Sequence, residues 1–217
     1  MVRNVARSNA IHPLVFLLLL ILLLLNGCNT IKRSAYEGFE RDSWQYPDRV
    51  IQTLGIQSGD VIADLGAGSG YFTFRLAEAV GPQGKVYAVD VDQAMNEYLK
   101  EKILEKGVKN IEVILAEYQD PLLPDSGVDL IFTSNTYHHL EERSKYFSNA
   151  RKYLRPKGRM AIIEFKKYGW FQKIFGHFTP GEVIRNEMKA AGFHVEKEYD
   201  FLPMQHFMVF IIEQEEL

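Results

Sequence analysis

Apolar and polar positions along the chain follow two alternating periods. Short apolar runs bounded by turn residues, Val61–Leu65, Lys85–Asp90, Ile111–Ala116 and Val128–Thr133, predict buried strands. Between them, apolar residues recur at helical spacing. Phe72, Phe74, Leu76, Ala77 and Val80 run to a Gly81-Pro82 stop, and Met95, Tyr98, Leu99 and Ile103 run to Gly107 behind Asp92 as an N-cap. One helix is predicted across Arg41–Gly55, with Pro47 in a first turn and Val50, Ile51 and Leu54 facing the core. Further along come a helix over Tyr146–Leu154, a turn at Arg155-Pro-Lys-Gly158, a strand over Arg159–Phe165 and an aromatic linker, Lys166–Thr179. Pro180 starts a last helix that ends at Ala191-Gly192. Strands Phe193–Tyr199 and Phe207–Ile212 follow with no helical stretch between them, which predicts an antiparallel hairpin at the sheet edge. Strands alternating with helices specify an α/β fold whose sheet is mostly parallel.

The junction after the first strand carries the chemistry. Gly66, Gly68 and Gly70 follow Val61–Leu65 and precede a helix, an arrangement that lets a ligand approach the backbone closely. A dinucleotide loop needs a small residue three places after its second glycine; here Tyr71 stands there, and the third glycine comes one position early. Asp64, two residues before the loop, would repel a pyrophosphate and attract a cation. S-adenosylmethionine carries an ammonium and a sulfonium and no phosphate, so the loop fits that cofactor better than NAD. Asp90, ending the second strand, stands where a carboxylate accepts hydrogen bonds from both hydroxyls of a ribose. The competing reading, a helix cap, suits Asp92 better. Glu117 and Tyr118 follow the third strand at the sheet edge, and Glu117 is placed to accept from an adenine amino group or to be a solvated loop acid.

Composition adds limits. The chain has 217 residues and a formal net charge of −3, with no block of like charge, which argues against a nucleic-acid partner. Its N-terminus pairs Arg3 and Arg7 with an apolar run, Leu14–Leu25, shorter than the roughly 20 residues of a spanning helix. The run breaks at Asn26-Gly27-Cys28, and Leu25-Asn-Gly-Cys28 resembles a bacterial lipoprotein processing site with Cys28 as the lipidated residue. Residues 1–28 are therefore expected to be a signal or membrane anchor, 29–40 a tether and 41–217 the globular domain. An uncleaved anchor and a misassigned start codon are the alternatives. The expected location is membrane-associated, as an envelope lipoprotein or on the cytoplasmic face of the inner membrane. Cys28 is the single cysteine, which excludes a disulfide within one chain and disfavours a cysteine metal site; no metal is expected.

Taken in order, Val61-Ile-Ala-Asp-Leu-Gly-Ala-Gly-Ser-Gly70, Val86-Tyr-Ala-Val-Asp90, Val128-Asp-Leu-Ile-Phe-Thr-Ser-Asn135 and Leu154-Arg-Pro-Lys-Gly158 resemble the motifs of class I S-adenosylmethionine-dependent methyltransferases. The branch most similar is that of the ubiquinone and menaquinone C-methyltransferases, over roughly Pro47–Ile212. The resemblance implies a Rossmann-like, doubly wound, mostly parallel seven-stranded sheet with a C-terminal antiparallel hairpin. It also implies that Asp64, Gly66, Ala67, Gly68 and Gly70 hold the methionine portion. Asp90 would take the ribose, its neighbour Val91 would also line the cofactor site, Glu117 and Tyr118 would border the adenine, and Asn135 would lie near the amino group and the methyl donor.

Methyl transfer to an oxygen or an acidic carbon gains from a base near neutral pKa. His138 and His139, after the fourth strand, are the candidates, with His139 slightly preferred; a structural role competes for both. Tyr137 and, in the aromatic linker, His177 are expected near a small, apolar acceptor. The fourth strand ends in Ser-Asn-Thr-Tyr, not Asp/Asn-Pro-Pro-Tyr, which disfavours nucleobase and glutamine substrates. The competing function is a scaffold that binds S-adenosylmethionine without catalysis. Oligomeric state is not legible.

Overall fold

The strands are β1 (Val61–Leu65), β2 (Lys85–Asp90), β3 (Ile111–Leu115), β4 (Val128–Ser134), β5 (Leu154–Phe165), β6 (Phe193–Tyr199) and β7 (Gln205–Ile212). They form one sheet in the order β3-β2-β1-β4-β5-β7-β6. These elements come from a computed structural model that describes residues 40–166 and 178–213. Pairings are parallel from β3 to β5. β7 runs antiparallel to both β5 and β6, the hairpin that the sequence predicts. The doubly wound order reverses between β1 and β4, so the C-terminal ends of those strands open a crevice of the kind where such sheets bind ligands.

Helices α1 (Arg41–Gln45), α2 (Pro47–Leu54), α3 (Thr73–Val80), α4 (Gln93–Lys106), α5 (Arg143–Ala150) and α6 (Gly181–Ala190) cover the two faces. Ala63, Leu65 and Ile131 pack with Phe147, Ile184 and Met188 on the α5/α6 side. Ile62, Leu130 and Phe132 pack with Val50, Leu54 and Leu76 on the α2/α3 side, and Ala88 meets Leu99 and Ile103 of α4. Burial on both faces explains why the central strands read as continuous apolar runs. Asp92 caps α4 as expected, accepting from Ala94 N at 3.0 Å and Met95 N at 3.2 Å.

Three boundaries depart from expectation. The helix expected over Arg41–Gly55 is two helices, split at Tyr46 with φ 45°. Tyr46 precedes Pro47, whose ring disfavours the right-handed helical region for the residue before it. The helix expected over Tyr146–Leu154 is α5 followed by a 3-10 turn, Arg151–Tyr153. The turn expected at Arg155–Gly158 is an irregularity inside β5, where Leu154 pairs with Val128 but Arg159 already pairs with Leu130. Among the described residues no helix is long and apolar enough to cross a membrane.

Candidate active site

The first five residues after β1, Gly66 to Gly70, make the turn that positions everything else. Gly66, Gly68 and Gly70 adopt φ of 75°, 52° and 86°. A Cβ on Gly66 would run into the Thr136 side chain, so this position demands glycine twice over. Gly66 N and Ala67 N donate to Val89 O at 2.8 and 3.1 Å, tying the turn to the end of β2. Gly68 N donates to Asp90 Oδ2 at 2.9 Å, while Asp92 N donates to Asp90 Oδ1 at 2.9 Å. Both oxygens of Asp90 are thus fixed by backbone and keep lone pairs for a diol. Burial raises the Asp90 carboxyl above its ordinary range, against these two backbone bonds.

Asp64 is 3% exposed and accepts from Thr73 Oγ1 at 2.6 Å. Burial pushes its carboxyl up to about 6, opposed by the Thr73 bond and by the charge of Arg41, and assisted by the charge of Asp90. A nearby cationic ligand would hold Asp64 ionised, which is the response expected of a site built for an ammonium or a sulfonium. On the other side of the turn, Val91, Leu115 and Tyr118 are 40, 51 and 81% exposed, an apolar strip at the ends of β2 and β3 suited to an adenine face. Glu117 stands beside this strip, exposed, with its N–H on Asp120 O at 3.0 Å. Carboxylates for a cation and a diol, a turn without room for a side chain at Gly66 or Gly70 and an apolar edge together fit S-adenosylmethionine. Its methionine end would lie by Asp64 and Gly66–Gly70, its ribose by Asp90 and its adenine by Val91, Glu117 and Tyr118.

Several contributors carry no motif. Gln45 on α1 is fully buried, donates from Nε2 to Ser134 Oγ at 2.8 Å and accepts from Arg41 Nε at 2.5 Å. The Arg41 guanidinium lies 3.8 Å from the Tyr71 ring centre, and burial lowers it to about 10. Tyr71 donates to Asp42 Oδ1 at 2.5 Å, so α1 is fastened to the residue following the glycine turn. Asn135, at φ 58°, accepts from Gln205 Nε2 at 2.5 Å, and Gln205 is fully buried.

The histidine segment divides. Tyr137, expected near the acceptor, is a core residue instead: fully buried, stacked 5.3 Å from Phe147, its hydroxyl donating to Glu187 Oε2 at 2.7 Å. Apolar neighbours on α5 and α6 make that side of the turn interior. His138 turns toward the strand ends, its Nδ1 2.9 Å from Glu164 Oε1, while His139 is exposed. Glu164 was legible in one respect, as an acid closing an apolar strand just as Asp64 and Asp90 do. His177 and Cys28 lie outside the described residues. No group of three or more metal-ligating side chains occurs among the described residues.

The profile of a methyltransferase domain family matches residues 56–200. The ubiquinone/menaquinone biosynthesis C-methyltransferase UbiE of Francisella philomiragia is 33% identical over 120 residues, which cover 55% of this chain and 48% of that protein. The chain thus spans about half the length of the curated relatives it matches. Among solved structures, a SAM-dependent methyltransferase from Aquifex aeolicus is similar with a TM-score of 0.77 at 28% identity, covering 83% of this chain and 97% of that one. The [4+2]-cyclase SpnF shares the fold at a TM-score of 0.64 and 17% identity, covering 76% of this chain and 62% of its own.

Proposed function

The chain belongs to the methyltransferase domain family, and from that premise we propose that it transfers a methyl group from S-adenosylmethionine to the oxygen or acidic carbon of a small, apolar acceptor. The observation that carries the proposal is the pair of buried carboxylates, Asp64 and Asp90, on adjacent strand ends around a turn that excludes side chains at Gly66 and Gly70. When bound, the cofactor supplies a methyl carbon activated by positive charge on sulfur. The protein's part is to hold and orient. Asp64 offers a desolvated negative charge to the cationic end, and Asp90 accepts from the diol in a geometry already fixed by Gly68 and Asp92. Orientation of this kind can be worth about 7–11 kcal/mol of a barrier.

The apolar character of the acceptor rests on the α1 side of the crevice. Trp44 lies 5.8 Å from Phe165 between ring centres, next to the Gln45–Ser134 bond at the end of β4. The C-methyltransferase activity named for the Francisella relative supports carbon as the attacking atom. The test is methyl transfer from radiolabelled S-adenosylmethionine to cell extract, with identification of the labelled product. Absence of cofactor binding by calorimetry sinks the proposal, and binding without any labelled product favours a non-catalytic scaffold.

We infer further that Cys28 carries a lipid that ties the domain to a membrane, on the strength of the Leu14–Leu25 run and the residues that end it. Palmitate labelling lost in Cys28→Ala, with protease accessibility in spheroplasts, tests the attachment and the side.

A further inference from the structure

Glu164 is fully buried at the C-terminal end of β5 and faces three donors. His138 Nδ1 lies 2.9 Å from Oε1, His138 N donates to Oε2 at 3.2 Å and Phe165 N donates to Oε1 at 2.7 Å. The backbone bonds alone would moor a second 3-10 turn, Tyr137–His139, to the strand; the ring contact does something more. An ionised carboxylate can only accept, so it selects the neutral imidazole that carries its proton on Nδ1 and its lone pair on Nε2. With the His138 side chain 7% exposed and Glu164 at 0%, the pair sits where such a contact is strengthened by low dielectric.

The turn that bears His138 is also next to the glycine turn. Thr136, two residues earlier, is the side chain that fills the space over Gly66, and β4 pairs with β1 up to Thr133 opposite Leu65. We propose that Glu164 is a positioning residue that fixes His138 so that Nε2 accepts the proton of the methyl acceptor. This rests on the methyltransferase reading. An O–H of the acceptor gives its proton to Nε2. The electron pair released on that oxygen, or on the ring carbon conjugated with it, forms the new bond to the methyl carbon. The pair of the methyl–sulfur bond stays on sulfur as a thioether, and the imidazolium later loses its proton to water.

Other titrating or charged groups surround the pair. The His139 ring centre lies 4.0 Å from that of His138 with the planes tilted by 47°, and His206 on β7 is the register partner of Glu164. Burial, Lys166 and Arg185 lower His206, opposed by Glu198 and Glu164.

The experiment has two arms on the full chain. Ring nitrogen NMR of labelled protein reads the tautomer directly, without cofactor or acceptor. The Nδ1–H form is expected for His138 in the wild type, with a smaller share in Glu164→Gln. An Nε2–H form in the wild type overturns the proposal. The second arm measures turnover of 1,4-dihydroxynaphthalene with labelled S-adenosylmethionine. His138→Gln is expected to lose about 100-fold in kcat and Glu164→Gln about 10-fold, at unchanged cofactor KM. A Glu164→Gln enzyme with wild-type kcat but a lowered Tm overturns the proposal and leaves Glu164 a clamp. If the wild type binds no S-adenosylmethionine by calorimetry, the methyltransferase reading falls, while the tautomer still decides the pairing.

Discussion

Asp64 and Asp120 are both carboxylates at the end of the sheet that holds the glycine turn, and their surroundings push them in opposite directions. Asp120 accepts from Tyr153 Oη at 2.5 Å, Asn149 Nδ2 at 2.9 Å, Leu122 N at 2.9 Å and Lys152 Nζ at 3.2 Å. Its own partial burial works against ionisation, yet these bonds win and bring it down to about 2. Asp64 has the Thr73 hydroxyl and the field of Arg41, and burial wins, taking it up to about 6. Asp120 is completed by the protein and serves the fold by stitching the Glu117–Asp120 loop to α5 and the turn after it. On the proposed function, Asp64 is completed by a ligand. On that reading, the two directions of shift follow from how far the protein itself satisfies each carboxylate.

The contrast breaks most visibly at the ligand. Asp90→Ala should weaken S-adenosylmethionine binding about 100-fold by calorimetry, since charge-assisted hydrogen bonds of this kind are worth about 1.5–3 kcal/mol each; unchanged affinity would place the ribose elsewhere. Asp64→Asn should abolish tight binding yet stabilise the ligand-free domain by on the order of 2 kcal/mol at pH 8. The sign follows from the raised folded value. The folded state holds the Asp64 proton more tightly than the unfolded state, so the wild type keeps this contribution below about pH 4 and loses it as pH rises through about 6. Urea unfolding of both proteins at pH 4.5 and pH 8 reads the gap, which should be larger at pH 8.

Asp120→Asn should do the opposite. It should destabilise by on the order of 1 kcal/mol at pH 7, discounted for the partial exposure of the group, and leave cofactor affinity unchanged. Because the folded value lies below the ordinary one, the wild-type advantage is present above about pH 4 and closes as pH falls through about 2. The smallest effect concerns Tyr137. Tyr137→Phe removes one hydrogen bond while Arg143 keeps both its bonds to Glu187, so a loss of about 1 kcal/mol in stability is expected at unchanged acceptor KM. A change in acceptor KM alone would return Tyr137 to the substrate.

What was legible in the sequence is what local physics decides. The strand, glycine turn and helix around Asp64, the Asp92 cap and the final hairpin each follow from residues within a few positions of one another. What was not legible depends on distant pairs. Gln45 finds Ser134 across 89 positions and Glu164 finds His138 across 26, and neither side chain sits in a pattern that announces a partner. Tyr137 was misplaced for the same reason: an aromatic residue beside two histidines reads as a site until α6 supplies Glu187. The break at Tyr46 was within reach, because the proline after it was in plain view.

That break bears on where a working fragment can be cut. The family profile begins at residue 56, yet Arg41 and Gln45 on α1 already fasten the rim at Tyr71 and Ser134. A protein trimmed to residue 56, or even to Pro47, would leave the Ser134 hydroxyl without Gln45 and strip the cover from Tyr71. Trimming should therefore stop no later than residue 40, and a shorter fragment that folds but binds weakly would be reporting a missing wall, not a missing activity.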